Sequence, residues 1–368
     1  MWNCIVRRLR TRVLRKGFQL YRPGLILLPK PDGASRPIHR FSDDDRILFR
    51  AVYQVISQIL ESHITREVAY CSLRSNPIRP FGTIPHAQLE LSKARREQKR
   101  FLIKFDISSF YGSVSRSLLR EKLDAIFSDP DAADVIASLI DVPLPDIEDE
   151  IPADMIRLLN GLPQGASTSP QLASFYLAEF DNLLSEKAVI CIRYVDDICV
   201  VAESYIDALE INAWVERKLA DLGLQVSAAR GKSGIIKPNK DCEFLGARIT
   251  PTGRLRPKKK SLKELISRLE RVAKNLGVDR DVVCSEDFAD VLSVWISSRR
   301  HYHFTMVDIS FFKLAIFNVV VHHGASNDRA KKISNFAIRS LGKQANFPNA
   351  SRAFQEFMSN ASARTRSL

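Results

Sequence analysis

The chain has 368 residues, enough for two or three packed subdomains, and its 45% hydrophobic and 26% charged content fits a globular protein and excludes a disordered one. A formal net charge of +13 favours a polyanionic partner, nucleic acid first, with ordinary solubility charge as the alternative. No apolar run reaches spanning length, no secretory h-region is present, and the six cysteines form no CxxC pair or zinc-type grouping, so the expectation is a cytoplasmic protein with reduced, mostly buried thiols and no membrane contact.

In chain order, "MWNCIVRRLRTRVLRKG" is arginine-rich and acid-free. It reads as a basic helix over 1–16 that touches nucleic acid, with an organelle transit peptide as the alternative. "GLILLPKPDGASRPIHRF" predicts a β-hairpin with strands 24–29 and about 35–40 around "PDGA". "DDDRILFRAVYQVISQILES" has apolar residues at helical spacing and acids in its first turn. A helix over about 85–98 follows, then a buried strand from Phe101 to Asp106, a turn, and a helix starting near Ser115. The acidic, proline-broken stretch 141–154 reads as a loop. "GLPQGASTSP" is a turn feeding a helix from about Ser169. "VICIRYVDDICVV" predicts two short strands, 189–194 and 198–202, joined at "VDD". A helix over about 205–222, a hairpin in "EFLGARITPTGRLRP" and a helical run after Pro257 complete the chain.

The carboxylates carry the chemistry. Asp106 ends one apolar strand, and Asp196 and Asp197 cap another apolar hairpin. If those strands are neighbours in one antiparallel sheet, all three acids converge on one edge, where short, hard oxygen ligands suit Mg²⁺. Two such ions, roughly 3.5–4 Å apart, would serve nucleotidyl transfer. Taken alone, Asp-Asp at a hairpin tip is also ordinary turn chemistry. The acids of 141–154 are a rival metal site, but their flexible, strand-free setting reads as solvated loop.

Several stretches resemble the motifs of reverse transcriptases, in the family's order over about 24–257. "FDISSFYGSV" resembles the first palm motif, "GLPQGASTSP" the second, "YVDD" the third, "LGLQVSAARGKSG" the fourth and "FLG" the primer-gripping fifth. "LPKPDGASRPI" followed by "DDDRIL" resembles the fingers of bacterial and intron-type members. The resemblance implies an α+β right-hand polymerase fold: fingers over 1–100, an antiparallel-sheet palm over 101–256 with a helical insertion about 113–160, and an α-helical thumb with C-terminal helices over 257–368.

It also implies roles. Asp106 and Asp196 would ligate two Mg²⁺ ions (Mn²⁺ a possible substitute) with help from the Ile107 carbonyl, and Asp197 would complete the charge. Lys30 and Arg36 would clamp the triphosphate, the arginine fork meeting phosphate oxygens in pairs, with an exposed hairpin pair as the alternative. Backbone amides near Ser109 and Phe110 would add to the cradle. Tyr111 would stand against the sugar C2′ and reject a ribose hydroxyl, or else be a core tyrosine. Gln164 would contact the incoming nucleotide. Lys232 would act near the leaving pyrophosphate as general acid, with Arg230 competing for that role and a solvated basic loop as the alternative. Phe244, Leu245 and Gly246 would grip the primer. Arg254, Arg256, Lys258, Lys259 and Lys260 would contact nucleic-acid backbone at the thumb entrance.

The implied activity is RNA-directed DNA synthesis from dNTPs, giving a DNA product on an RNA template. The sequence shows no RNase H domain, no Cys/His endonuclease signature, no retron-type "NAxxH" or "VTG", and no maturase region. The expectation is therefore a compact stand-alone bacterial enzyme of the phage-defence kind, with a structured non-coding RNA and a partner protein or second copy as associates. Retron or intron-type synthesis, protein-primed or template-independent synthesis, and a non-catalytic RNA-binding scaffold are the alternatives. RNA-dependent RNA synthesis is disfavoured by Tyr111.

Overall fold

The structure is a computed structural model describing residues 2–14, 19–29, 33, 35–65, 68–69, 83–97, 100–145, 153–188, 190–229, 231–274, 281–297, 302 and 306–344. They fall into two compact units, Met1–Ala87 with Arg100–Pro238, and Gln88–Lys99 with Asn239–Leu368. Lys30, Arg230 and residues 146–152 of the acidic stretch lie outside the described residues.

The first unit opens with α1 (Trp2–Val13) and the antiparallel hairpin β1 (Gly24–Pro29) and β2 (Ser35–Arg40). Next comes α2 (Asp43–Ser62), whose N-terminus is capped by the Ser42 hydroxyl and carries Asp43, Asp44 and Asp45 in its first turn. The same acids hold α1: Arg8 pairs with Asp44 at 2.5 Å and Arg12 with the buried Asp45 at 2.8 Å, and Arg12 also stacks over the Tyr21 ring. Two arginines of the expected nucleic-acid helix are thus engaged by its own protein.

After α3 (Ile84–Glu97), β3 (Phe101–Asp106) enters a four-stranded antiparallel sheet of order β4-β5-β3-β6, with β4 at Ile190–Tyr194, β5 at Asp197–Ala202 and β6 at Gly234–Ile236. β3 and β5 are central, and their Leu102, Ile103, Phe105, Ile198, Val200 and Val201 are fully buried. Both strands are mostly apolar runs, interrupted in β3 by the half-buried Lys104, which is why they were legible. The short α4 (Phe110–Ser113), α5 (Arg116–Asp124), α6 (Pro130–Ile140) and α7 (Ala153–Leu158) follow β3. The helix expected from Ser169 is two helices, α8 (Ser169–Tyr176) and α9 (Ala178–Lys187), broken at Leu177. No glycine or proline marks the break. Tyr176 and Leu177 at the break are both fully buried. α10 (Tyr205–Asp221) starts at a Ser204–Asp207 capping box and packs on β3, β5 and β6.

The second unit holds a three-stranded antiparallel sheet, β7 (Cys242–Phe244), β8 (Ala247–Ile249) and β9 (Leu255–Pro257), where the sequence suggested a single hairpin. The missed turn is Leu245–Gly246, with φ +46° and +85°. Leucine is not a turn residue, so nothing in its chemistry announced the reversal. Helices α11 (Lys259–Lys274), α12 (Asp281–Ser297), α13 (Met306–His322) and α14 (Asn327–Gln344) pack on one another around Leu265, Leu269, Phe288, Ile296, Phe312 and Ile333. No described helix is long and apolar enough to cross a membrane.

Candidate active site

Antiparallel pairing of β3 with β5 sets Asp106 directly across from Asp197. The same register makes Asp197 the partner of Tyr194 on β4, so the Val195–Asp196 turn lies at the sheet end where β3 stops. The turn is tied to β3 by the Ile107 amide, which donates to the Asp196 carbonyl at 3.0 Å. The Ser108 amide donates to Gln225 at 2.8 Å and the Ser227 amide to Asp106 at 2.7 Å, bringing the segment before Lys232 alongside. The Ser233 hydroxyl accepts from the Asp106 amide, and Lys232 Nζ donates to Asp106 Oδ1 at 2.9 Å. Asp106, Ile107, Asp196, Asp197 and Lys232 are therefore gathered from separate parts of the chain.

Their electrostatics are unbalanced. The Asp196 carboxyl is pushed up to about 6, first by burial and then by repulsion from Asp197 and Asp106, against the pull of Lys232. Lys232, half exposed, is raised chiefly by its hydrogen bond to Asp106. Among the described residues, no three His, Cys, Asp or Glu side chains are already gathered as a ligand set. The donor chemistry nonetheless fits a hard divalent cation: carboxylate oxygens at one sheet end, with one carboxyl short of compensating positive charge.

Around this end, Tyr111 and Gln164 are set by backbone contacts. The Leu162 amide donates to the Tyr111 carbonyl at 2.7 Å, and a Cβ on Gly161 would overlap Tyr111 and Gly112 backbone. Arg116 donates to the carbonyls of Gly161, Val142 and Leu159 at 3.0–3.2 Å. The His39 amide donates to the Gln164 carbonyl at 2.7 Å, which locks β2 to the "PQG" turn. Arg36 is exposed on β2. Ser109 sits at φ 47°, while the Phe110 ring is buried in the core, so only its backbone is available to a phosphate.

Phe244, Leu245 and Gly246 belong to the second unit, where Phe244 is fully buried and Gln88 Nε2 donates to the Leu245 carbonyl at 2.6 Å. Of the expected phosphate-contacting cations, Arg256 pairs with Asp308 at 2.8 Å and Lys258 with Glu243 at 3.6 Å. Arg254, Lys259 and Lys260 are exposed.

Sequence reading missed Arg193, Asp181, Arg116 and His39. Arg193 and Asp181 are both fully buried and form a bidentate pair at 2.5–3.1 Å. Burial raises the Asp181 carboxyl while Arg193 opposes it. Removing either partner would strand the other charge, at about 3–5 kcal/mol. An arginine inside the apolar run "VICIRY" was the available signal. His39 is buried, and burial, with Arg116 adding and a hydrogen bond to the Gln164 backbone opposing, lowers it to about 4.

A sheet end that pairs Asp106 with Asp197 across two strands and sets Asp196 in the adjoining turn has the form of a polymerase palm. The sequence model described as "Reverse transcriptase (RNA-dependent DNA polymerase)" matches residues 28–249, and the chain belongs to that family. Protein YkfC of Escherichia coli (strain K12) is 28% identical over 184 residues, 49% of this chain and 45% of that protein. The matched stretch thus spans less than half the length of this curated relative. A telomerase from Candida albicans, solved with a TWJ fragment of telomeric RNA, has a TM-score of 0.51 at 15% identity, covering 97% of this chain and 68% of that one. At that identity the likeness is one of fold.

Proposed function

We propose that the chain is an RNA-directed DNA polymerase that joins dNTPs to a 3′-hydroxyl at the Asp106–Asp196–Asp197 sheet end. The observation that carries this is the cross-strand pairing of Asp106 with Asp197, with the half-buried Asp196 in the adjoining turn repelled by both. Asp106 and Asp196 would hold Mg²⁺, or Mn²⁺ in its place, with the Ile107 carbonyl and Asp197 beside them. Bound there, the cations would activate the attacking hydroxyl and neutralise the departing pyrophosphate. Lys232, already on Asp106, would supply a proton or a positive charge on the leaving-group side. Tyr111 would exclude a ribose 2′-hydroxyl, Gln164 would contact the nucleotide, and Lys30 with Arg36 would bind its phosphates.

RNA as template is supported by family membership and the charge of +13. For the biological setting we infer bacterial antiphage defence with an associated structured RNA. Its supports are the bacterial-type fingers motif and the Escherichia coli relative.

The test of activity is primer extension by the purified chain on a defined RNA template with dNTPs and Mg²⁺. Extension that stops on RNase treatment of the template before primer annealing is expected. Equal synthesis without template would replace this reading by untemplated transfer. Sequencing RNA and new DNA recovered with the protein from its host, alongside phage plating with and without its gene, tests the setting. Plating that does not change would remove the defence role.

A further inference from the structure

We propose that Arg193, anchored by Asp181, is a positioning residue that holds the Val195 carbonyl and thereby fixes the turn presenting Asp196 and Asp197. This rests on the catalytic role proposed for those acids. Val195 lies at φ 60°, a left-handed conformation that a β-branched residue strongly disfavours. Such strain persists only where the surroundings over-determine it. Here they do. Arg193 Nε donates to Asp181 Oδ1 at 2.8 Å and Nη2 to Oδ2 at 2.5 Å, which leaves Nη1 aimed at the Val195 carbonyl, 3.2 Å away. The Arg193 amide is itself held by the Val68 carbonyl at 2.8 Å.

The two carbonyls flanking the Asp196 residue are therefore both fixed: Val195 by Arg193, and Asp196 by the Ile107 amide. One clamp comes from the helix α9 side and the other from the end of β3. A buried ion pair is often no more stabilising than well-packed apolar side chains of the same volume, so stability alone does not explain this one. A rigid planar fork that spans a carboxylate and a turn carbonyl at once does. Lysine, with a single ammonium on a flexible stem, cannot reproduce it.

The experiment compares Arg193→Lys with the parent chain in two backgrounds, Val195 intact and V195G. It reads kcat and the dNTP KM in primer extension, and the urea midpoint. With Val195 intact, R193K is expected to lower kcat about 100-fold, the usual scale for a misplaced catalytic group, with the dNTP KM within about threefold. Glycine takes φ 60° without strain. In the V195G background the same change should therefore cost less than about tenfold in kcat, with the urea midpoint read to show that each variant is folded. Equal losses in both backgrounds, or an unchanged kcat in folded R193K, overturn the proposal.

If R193K does not fold, Asp181→Asn is read in the same two backgrounds, since it removes the anchor and keeps the guanidinium. If neither variant folds, the pair belongs to the core alone and the proposal is wrong. Asp196→Asn is run alongside. Should it still incorporate dNTPs, the carboxylate reading is what fails. With D196N inactive and R193K uncoupled from V195G, only the role of Arg193 fails.

Discussion

Ser109, Val195 and Leu245 are the non-glycine residues with positive φ among those described, and each lies in a stretch that resembles a polymerase motif. Strained backbone gathers where geometry must be held, so these outliers point to the same places as the motifs do. Nothing in the sequence marked them, because serine, valine and leucine do not advertise a left-handed residue. Tyr111 was legible, five positions after Asp106, and it does sit beside the turn that carries Gln164. Tyr111→Ala should raise incorporation of rNTPs relative to dNTPs by about tenfold or more, read as the ratio of kcat/KM values. An unchanged ratio would remove it as the sugar gate. His39 gives a pH signature. Its folded value, about 4, lies below the ordinary 6.5, so between those values the unfolded chain takes a proton that the folded chain refuses. Stability present above pH 6.5 is then lost as pH falls toward 4, by about 3 kcal/mol at the limit. Asp196, raised to about 6, titrates with the opposite sign in both chains, so the readout is the difference in urea midpoint between the parent and His39→Phe, which should shift against the parent from pH 7 through 5.5 to 4.5. A difference that stays constant with pH would assign the titration elsewhere.

At the scale of elements, the central strands and their acids were readable because each mostly apolar run abuts an aspartate, Asp106 at the end of β3 and Asp197 at the start of β5. What was not readable is how the elements lock together. The approach of α4 to the end of α7 and the residues that follow it is close at the backbone: a Cβ on Gly112 would strike Leu158, and one on Gly161 would strike Tyr111 and Gly112. No side-chain pattern encodes such an approach. Gly161→Ala should destabilise the protein by about 1–3 kcal/mol and raise the dNTP KM, because Tyr111 and the Gln164 turn are displaced together. A KM unchanged in a destabilised protein would separate that packing from nucleotide binding. The Arg193–Asp181 pair escaped for a similar reason. Its partners are a dozen positions apart on β4 and α9, and only the break at Leu177 redirects the chain that carries Asp181.

For the whole molecule, a charge of +13 predicts salt-dependent binding of nucleic acid, but the structure redistributes where that charge is available. Arg8, Arg12 and Arg256 are engaged by Asp44, Asp45 and Asp308, whereas Arg254, Lys259 and Lys260 are exposed. Neutralising Arg254, Lys259 and Lys260 should reduce the slope of log affinity against log salt by about 0.7–0.9 for each phosphate that no longer meets a cation. An unaltered slope would place the nucleic-acid path elsewhere. If the sheet end formed by β3 and β5 carries the chemistry, synthesis depends on the Asp196 carboxylate while RNA binding does not. Primer extension on an RNA template is measured for the parent chain and Asp196→Asn at equal concentration, with RNA affinity measured in parallel. D196N is expected to incorporate no dNTP while its RNA affinity stays within about threefold of the parent, since one uncharged amide would replace the carboxylate proposed to hold the metal. Incorporation by D196N at the parent rate would contradict it.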